Sequence, residues 1–278
     1  MQLSWIQFDK ATLITENKGE LAYCHVPKVA STTWMLGFAY MNAVPQKSIN
    51  KLIKSRSLHD HMYNHFSMRM KKEGDVLDLS NLYSFVFVRH PFERLVSAFH
   101  DKFVVARQLN IMGPFIDYYL RKNNIKKPKL LYLRKGWFEK NIIVSFQNFV
   151  EFVLYESSLS KMISGPSGHW WPFSDMCKMC EIEYDYIGKL ENLTKDVECI
   201  LKHFPNYDLL QQMKLQTRFK LNSKGQHDGN MTMDYFSTLS KQQIIDLYHM
   251  FKNDFEIGGY DYPQMYIDVG WDVIDVMM

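Results

Sequence analysis

Two short apolar runs, residues 21–26 and 84–88, each lead into a polar loop and then into a segment whose apolar residues recur at helical spacing. Apolar runs of this length predict buried β-strands, and the segments after them predict helices over residues 31–43 and 92–103. Buried strands that alternate with helices are typical of parallel sheets with crossover helices. We therefore expect an α/β fold with a central parallel sheet flanked by helices, in a single domain over residues 1–278.

Particular side chains mark where the predicted helices begin. Ser31 or Thr32 can cap the first helix, and Pro91 fits the first turn of the second. Farther along the chain, Ser240 and Gln243 have the spacing of a capping box in front of another helix. The second helix is expected to present one apolar face, made of Phe92, Leu95, Val96, Phe99 and Phe103.

Composition and charge narrow the function classes only a little. The 278 residues are 46% hydrophobic, enough for a substantial core, and 23% charged, which argues against global disorder. The formal net charge of +3 does not by itself indicate a polyanionic partner. No window approaches the roughly 20 apolar residues of a membrane span, and the first twenty residues lack the pattern of a signal peptide. We therefore expect neither a membrane span nor a signal peptide in this chain.

The four cysteines bear on metal binding and on the redox environment. Cys24 lies inside the first apolar run and is expected to be a small buried hydrophobic residue. Cys177 and Cys180 form a C-x-x-C, a spacing shared by zinc sites, redox pairs and disulfides. No second C-x-x-C completes a zinc quartet, so we expect no metal. Disulfides would need an oxidising compartment, which the sequons at Asn192 and Asn230 support only weakly.

The loop after the first predicted strand, PKVASTT, combines a lysine with three hydroxyls at the start of a helix. A helix N-terminus presents free N–H groups and the positive end of the helix dipole, so it is a ready anion site. Lys28 adds a point charge, and Ser31, Thr32 and Thr33 add hydroxyl donors. The loop lacks the glycines of a Walker A motif, which disfavours a conventional nucleotide kinase.

The loop after the second predicted strand offers arginines and a serine. Arg89 follows the strand, and Arg94 and Ser97 lie three residues apart on the predicted polar side of the next helix. Arg89 and Ser97 can bind a second phosphate through a guanidinium fork and a hydroxyl. Either loop alone is also explained as a solvated helix start, but two such loops after buried strands favour a nucleotide with phosphates at both ends.

The stretches VPKVASTTW and FVFVRHPFERLVSAFHDKF resemble the phosphate motifs of carbohydrate sulfotransferases of the chondroitin and dermatan 4-O-sulfotransferase type. GHWWPFSDMCKMCEIEYDYIGKLENLTKDVECIL and LSKQQIIDLYHMFKNDFEIGGYDYP resemble two further blocks of that family, so the similarity extends from about Leu21 to Pro263. The resemblance implies a P-loop-like sulfotransferase fold. It also implies an enzyme that transfers a sulfonyl group from PAPS (3′-phosphoadenosine 5′-phosphosulfate) to a carbohydrate hydroxyl without a metal.

The resemblance also assigns roles to residues. The family's first motif binds the 5′-phosphosulfate of PAPS, and its second motif binds the 3′-phosphate, which here implies Arg89, Arg94 and Ser97. Lys28 is implied to neutralise the bridging oxygen as the 5′-phosphate leaves. The residues that the resemblance places at the 5′ end are Pro27, Lys28, Val29, Ala30, Ser31, Thr32 and Thr33. Relatives are typically anchored in the Golgi membrane by an N-terminal span, which implies action in the Golgi lumen.

A general base is needed to accept the proton of the acceptor hydroxyl, and histidine suits this at neutral or mildly acidic pH. The candidates are His59, His61, His65 and His169. We prefer His59, because related sulfotransferases often place their base on the segment after the first helix. His169 lies in a block that resembles a family motif, and it could instead line the acceptor groove.

The basic run from Arg121 to Lys140 is the expected contact for an acidic polysaccharide. Nucleic acid is not expected as a partner, because it would explain neither phosphate loop. The resemblance implies disulfide chemistry around Cys177 and Cys180 in the secretory lumen, with Cys199 as a further candidate partner. The alternative to an enzyme is a non-catalytic polyanion-binding protein with a degenerate sulfotransferase fold.

Overall fold

The computed structural model describes eight stretches of the chain: residues 13–15, 20–55, 57–68, 82–105, 109–126, 144–159, 168–203 and 229–261. The described strands, β1 to β5 in chain order, are Leu13–Thr15, Leu21–Cys24, Ser67–Met68, Tyr83–Val88 and Tyr186–Lys189. The described α-helices, α1 to α10 in chain order, are Ser31–Met41, Gln46–Ser55, Leu58–Phe66, Pro91–Phe99, Leu109–Lys122, Phe146–Ser158, Phe173–Met176, Leu193–Leu201, Gly229–Phe236 and Lys241–Gly258. A π-helix, His100–Val105, continues α4, and a 3-10 helix, Leu190–Asn192, precedes α8.

The strands form one sheet in the order β3-β1-β2-β4-β5. β2, β4 and β5 are parallel, with Cys24 opposite Val86 and Val88 opposite Lys189. β1 pairs antiparallel with both β2 and β3. The predicted α/β fold with a central parallel sheet is confirmed, and the two short antiparallel strands at one edge were not predicted.

The chain divides into two compact units, each made of two separate stretches. The first unit, Met1–Arg89 with Phe173–Gln226, contains the sheet, α1 to α3, α7 and α8. The second unit, His90–Pro172 with His227–Met278, contains α4 to α6, α9 and α10. The single domain expected over residues 1–278 stays a prediction. No helix among the described residues is both long and apolar enough to cross a membrane.

The core of the first unit is a layer of aromatic rings between the sheet and α1. Tyr23 of β2 lies 5.2 Å from Phe85 of β4, measured between ring centroids, and Trp34 of α1 lies 5.0 Å from Phe87. β5 packs closely on β4, because Gly188 has no Cβ. A Cβ at that position would come within 2.7 Å of the Phe87 ring.

The core of the second unit is rich in phenylalanine. The predicted apolar face of α4 and its π-helical continuation is buried in that core, which confirms the helical spacing. The predicted capping box is also present at the start of α10. The Ser240 hydroxyl accepts the Gln243 N–H at 3.2 Å, and the Gln243 side chain accepts the Ser240 N–H at 2.9 Å.

A disulfide joins Cys24, at the end of β2, to Cys177, which follows α7. The two Cα atoms are 6.0 Å apart, although the residues are 153 positions apart in sequence. Cys24 is buried, as expected, but the expectation that it is simply a small hydrophobic residue is wrong. The expected disulfide chemistry is confirmed at Cys177, whereas the expected partners Cys180 and Cys199 are wrong, because both carry free thiols. Local spacing could not show the pairing, because only the tertiary fold brings the two segments together.

Candidate functional site

The loop between β2 and α1 has an unusual backbone. Lys28 and Ala30 both have positive φ angles, 73° and 62°, although neither is glycine. A left-handed conformation costs a residue with a Cβ about 1 to 2 kcal/mol, and such strain is concentrated at functional sites. Turns that alternate between right- and left-handed conformations can point successive N–H groups into one anion-binding concavity. The loop therefore has the backbone of an anion site.

The N-cap of α1 is Ala30, and no side chain caps this end of the helix. The expectation that Ser31 or Thr32 caps the helix is therefore wrong, because both residues already lie within its first turn. The Ala30 carbonyl accepts the Thr33 N–H at 2.9 Å. The N–H groups of Ser31 and Thr32 come before the first intrahelical hydrogen bond, so the helix geometry leaves them available for an anion.

The three hydroxyls of the loop differ in accessibility. Thr32 is exposed, whereas Ser31 and Thr33 are buried, with 7% and 2% of their surface accessible. Pro27 and Val29 are buried as well, and Lys28 is half-buried. Lys28 and Thr32 are thus the side chains of this loop that a ligand from solvent can reach. The binding roles of the other loop residues stay predictions.

His59 belongs to α3 and lies beside the anion loop. A hydrogen bond of 3.3 Å joins its Nε2 atom to the Thr32 hydroxyl. The segment that carries His59 forms the helix Leu58–Phe66, for which no helix was predicted. The structure therefore brings the preferred base candidate to the exposed hydroxyl of the loop, and its catalytic role stays a prediction.

His25, which was not among the candidate histidines, is a neighbour of His59. It follows β2 directly, is 5% exposed, and its ring meets the His59 ring edge-on at 5.2 Å between centroids. Its position directly after a buried strand, two residues before the anion loop, was the available signal. The His25 ring limits how the imidazole of His59 can turn.

Arg89 comes directly after β4. Because β2 and β4 are parallel neighbours, the segments that follow them leave the sheet on the same side, at the carboxyl ends of the strands. Ligands of open α/β sheets bind at the carboxyl ends of the strands. Arg89 is buried, with 5% of its surface accessible. The first unit therefore places Lys28 and Arg89 on the same side of the sheet, at the carboxyl ends of β2 and β4, as the two predicted strand-loop-helix motifs require.

Arg94 and Ser97 belong to the second unit, and both are buried in α4. The expectation that they lie on a polar side of this helix is wrong, because Arg94 is only 1% exposed and Ser97 only 6%. The Arg94 guanidinium donates to the carbonyls of Trp171, at 2.7 Å, and Gly168, at 3.2 Å. It therefore orders the segment that contains His169. The predicted contacts of Arg94 and Ser97 with the donor nucleotide stay predictions.

The His169 segment is also fixed by a buried carboxylate. The indole N–H of Trp170 donates to Glu156 of α6 at 2.8 Å, and both side chains are fully buried. His169 itself is partly exposed. The segment is thus held from both sides of this histidine, as a positioned functional group requires. The role of His169 as base or acceptor contact stays a prediction.

The other two candidate histidines form a pair on α3. The rings of His61 and His65 lie 4.5 Å apart between centroids. Partial burial, with a smaller contribution from His65, lowers the pKa of His61. No contact places either ring at the anion loop in the part of the chain that the structure describes.

The basic run is described only at its beginning. Residues 121–126 are exposed at and after the end of α5. Lys122 is paired with Glu151, and that hydrogen bond raises the pKa of the lysine. The rest of the run, residues 127–140, lies outside the described residues. Within the described stretches, no group of three or more His, Cys, Asp or Glu side chains is placed to hold a metal ion.

A model of the sulfotransferase family matches residues 11–262. The chain is 29% identical over 255 residues to carbohydrate sulfotransferase 10 of Xenopus laevis, covering 90% of this chain and 68% of that protein. It is 27% identical over 277 residues to carbohydrate sulfotransferase 12 of the same organism, covering 92% and 62%. It is 29% identical over 263 residues to carbohydrate sulfotransferase 11 of Danio rerio, covering 92% and 68%. No solved structure matches the chain significantly.

Proposed function

Because the chain belongs to the sulfotransferase family, we propose that it transfers a sulfonyl group from PAPS to a hydroxyl of a carbohydrate acceptor. The observation that carries this proposal is the strained loop after β2, which contains Lys28 and whose Thr32 hydroxyl is hydrogen-bonded to His59. The names of the relatives support a carbohydrate acceptor. The chain spans 62 to 68% of the length of the relatives named above, so the activity of the whole protein is part of the proposal.

The donor set of the loop fits a phosphosulfate. An ammonium group, an exposed hydroxyl and the first N–H groups of α1 are all hydrogen-bond donors, as an anionic ligand requires. Bound PAPS would supply an activated sulfonyl group on a phosphate. Lys28 would stabilise the negative charge that develops on the 5′-phosphate, and the N–H groups of Ser31 and Thr32 would bind that phosphate, since the Thr33 N–H is bound to the Ala30 carbonyl. Arg89 would bind the 3′-phosphate.

His59 has the second role in the proposal. Its Nε2 atom would accept the proton of the acceptor hydroxyl, which makes that oxygen a better nucleophile. The acceptor hydroxyl would take the place that the Thr32 hydroxyl occupies at Nε2 in the free protein, while the His25 ring stays against the imidazole. Positioning of this kind accounts for much of the rate enhancement in group-transfer reactions. The mechanism needs no metal.

We further propose that the acceptor is an acidic glycan and that the protein acts in the Golgi lumen. The exposed basic residues Arg121 and Lys126 support an acidic acceptor. The Cys24–Cys177 disulfide supports a lumenal location, because such bonds persist in the oxidising secretory pathway.

The test of the donor site is binding of PAP, the desulfonated product, measured by calorimetry without magnesium. Wild type should bind, and Lys28→Ala should lose at least tenfold in affinity because a charge-assisted contact to phosphate is removed. Lys54→Ala, which removes an exposed lysine of α2, is the matched control and should bind like wild type. If the wild-type protein binds chondroitin sulfate but not PAP, the proposed enzyme activity is wrong and the protein is a non-catalytic polyanion-binding protein.

The test of the base is the His59→Ala variant, assayed with PAPS and a panel of glycans. Turnover should fall by about 10²- to 10⁴-fold, the usual contribution of a general base, while PAP affinity stays unchanged. His65→Ala, an exposed histidine on the same helix, should remain active. If His59→Ala is active and His169→Ala is not, the base is His169.

A further inference from the structure

One of the two sequons lies on an exposed turn of the first unit. Asn192 ends the 3-10 helix after β5, and Thr194 lies in the first turn of α8. Both residues are exposed, as are Glu191 and Lys195 beside them. The buried residues of α8 are Asp196, Val197, Ile200 and Leu201. The sequon therefore faces solvent while the other side of the helix packs on the protein.

The Asn192 side chain does not cap the helix that it precedes. Asn192 occupies the N-cap position of α8, but it makes no side-chain capping hydrogen bond. The turn is held instead by Asp196, whose carboxylate accepts the Lys189 N–H at 2.7 Å and the Tyr186 hydroxyl at 3.2 Å. A substituent on the Asn192 amide would therefore break no capping hydrogen bond.

The second sequon is placed differently. Asn230 and Thr232 lie within α9, and Thr232 is only 2% exposed. The triplet is part of a helix that contributes Phe236 to the phenylalanine-rich core of the second unit. A sequon is recognised through its threonine as well as its asparagine and is used in surface loops, so a helical triplet whose threonine is buried is a poor acceptor. The two triplets are equivalent in sequence, and the structure distinguishes them.

We infer that Asn192 is an N-glycosylation site and that Asn230 is not. The Nδ2 atom of Asn192 forms a bond to the anomeric carbon of a polyprenyl-pyrophosphate-linked oligosaccharide. The bond between that carbon and the pyrophosphate oxygen breaks, the polyprenyl pyrophosphate leaves, and Nδ2 gives up a proton. The reaction needs entry into the secretory lumen, which the Cys24–Cys177 disulfide supports independently. The inference does not depend on the sulfotransferase activity.

The experiment expresses the full chain behind a cleavable secretion signal in eukaryotic cells and scores only protein recovered from the medium. Its gel mobility is compared before and after peptide N-glycosidase, which converts a glycosylated asparagine to aspartate. Wild type should shift, and mass spectrometry should find the conversion at Asn192. Asn192→Gln and Thr194→Ala should abolish the shift, because each removes one essential member of the sequon.

Two variants serve as controls. Thr194→Ser keeps a sequon and should keep the shift, and Asn230→Gln should shift like wild type. Asn192→Gln should also melt at the wild-type temperature when both proteins are made without glycans, because the amide makes no capping bond. Secreted wild type without a shift would overturn the inference, as would a shift that survives in Asn192→Gln and disappears in Asn230→Gln.

Discussion

The segment from Pro27 to Thr33 and the segment from Arg89 to Ser97 follow the same plan, since each leaves a buried parallel strand and enters a helix. The first reaches α1 through a loop in which two non-glycine residues have positive φ. The second enters α4 at once, with Pro91 in the first turn of a regular helix. Strain is therefore localised in the first segment.

The polar side chains of the two segments are also used differently. In the first, Thr32 is exposed and Lys28 is half-buried. In the second, the Arg94 guanidinium is buried and already bound to two backbone carbonyls. Similar sequence patterns thus produce one loop with accessible donors and one helix whose arginine orders a neighbouring segment. The spacing of basic residues after a strand therefore does not distinguish an arginine that binds a ligand from one that orders the protein's own backbone.

The largest effect should come from the disulfide that anchors the strand of the first segment. Cys177→Ala opens a loop of 153 residues, which costs about 4 to 5 kcal/mol in the chain-entropy model. We expect the melting temperature to fall by about 10 °C. PAP affinity should fall as well, because Cys24 lies four residues before Lys28. Scanning calorimetry under non-reducing conditions gives the first value and titration calorimetry the second.

The matched control for this variant is Cys180→Ala, which removes an exposed free thiol three residues away. It should change the stability by no more than about 0.5 kcal/mol, as is usual for surface substitutions. Equal melting temperatures for Cys177→Ala and wild type would show that the covalent anchor does not stabilise the first segment.

The next effect concerns Arg94 in the second segment. Arg94→Met keeps most of the apolar bulk but removes hydrogen bonds to the carbonyls of Gly168 and Trp171. Buried acceptors left without a charged donor cost about 3 kcal/mol together. We therefore expect a clear loss of thermal stability, whereas Lys28→Ala should keep its melting temperature and lose PAP affinity. If Arg94→Met instead melts normally and binds PAP weakly, Arg94 is a donor contact, and the contrast between the two segments fails.

Two central strands of the first unit's sheet, β2 and β4, could be predicted because their signals are local. The apolar runs at β2 and β4 are wholly or largely buried, and the apolar face of α4 follows from helical spacing. β1 and β3 escaped prediction because strands of three and two residues carry too little pattern to detect. The strands with which they pair are also determined by tertiary structure and not by residues nearby in the sequence.

The site could be predicted only as far as its residues lie close in sequence. Lys28 and Thr32 lie on the loop and helix start that follow a strand, so their place at the carboxyl end of the sheet could be expected. The contacts of His59 with Thr32 and His25 join residues about thirty positions apart, and no local pattern reports them. The positive φ angle of Ala30 could not be predicted either, because alanine rarely adopts this conformation.

The smallest effect tests whether the strain in the first segment serves binding. Ala30→Gly should stabilise the protein by about 0.5 to 1 kcal/mol, because glycine adopts the left-handed conformation without a steric penalty but loses more entropy on folding. It should also weaken PAP binding a few-fold, because a glycine loop is less preorganised.

Ala43→Gly is the matched control, since Ala43 also has a positive φ, 53°, and lies after α1. It should gain similar stability in denaturant titrations and bind PAP like wild type. If both variants bind PAP like wild type, the strain at Ala30 is a feature of the chain's path into α1 and not of the anion site.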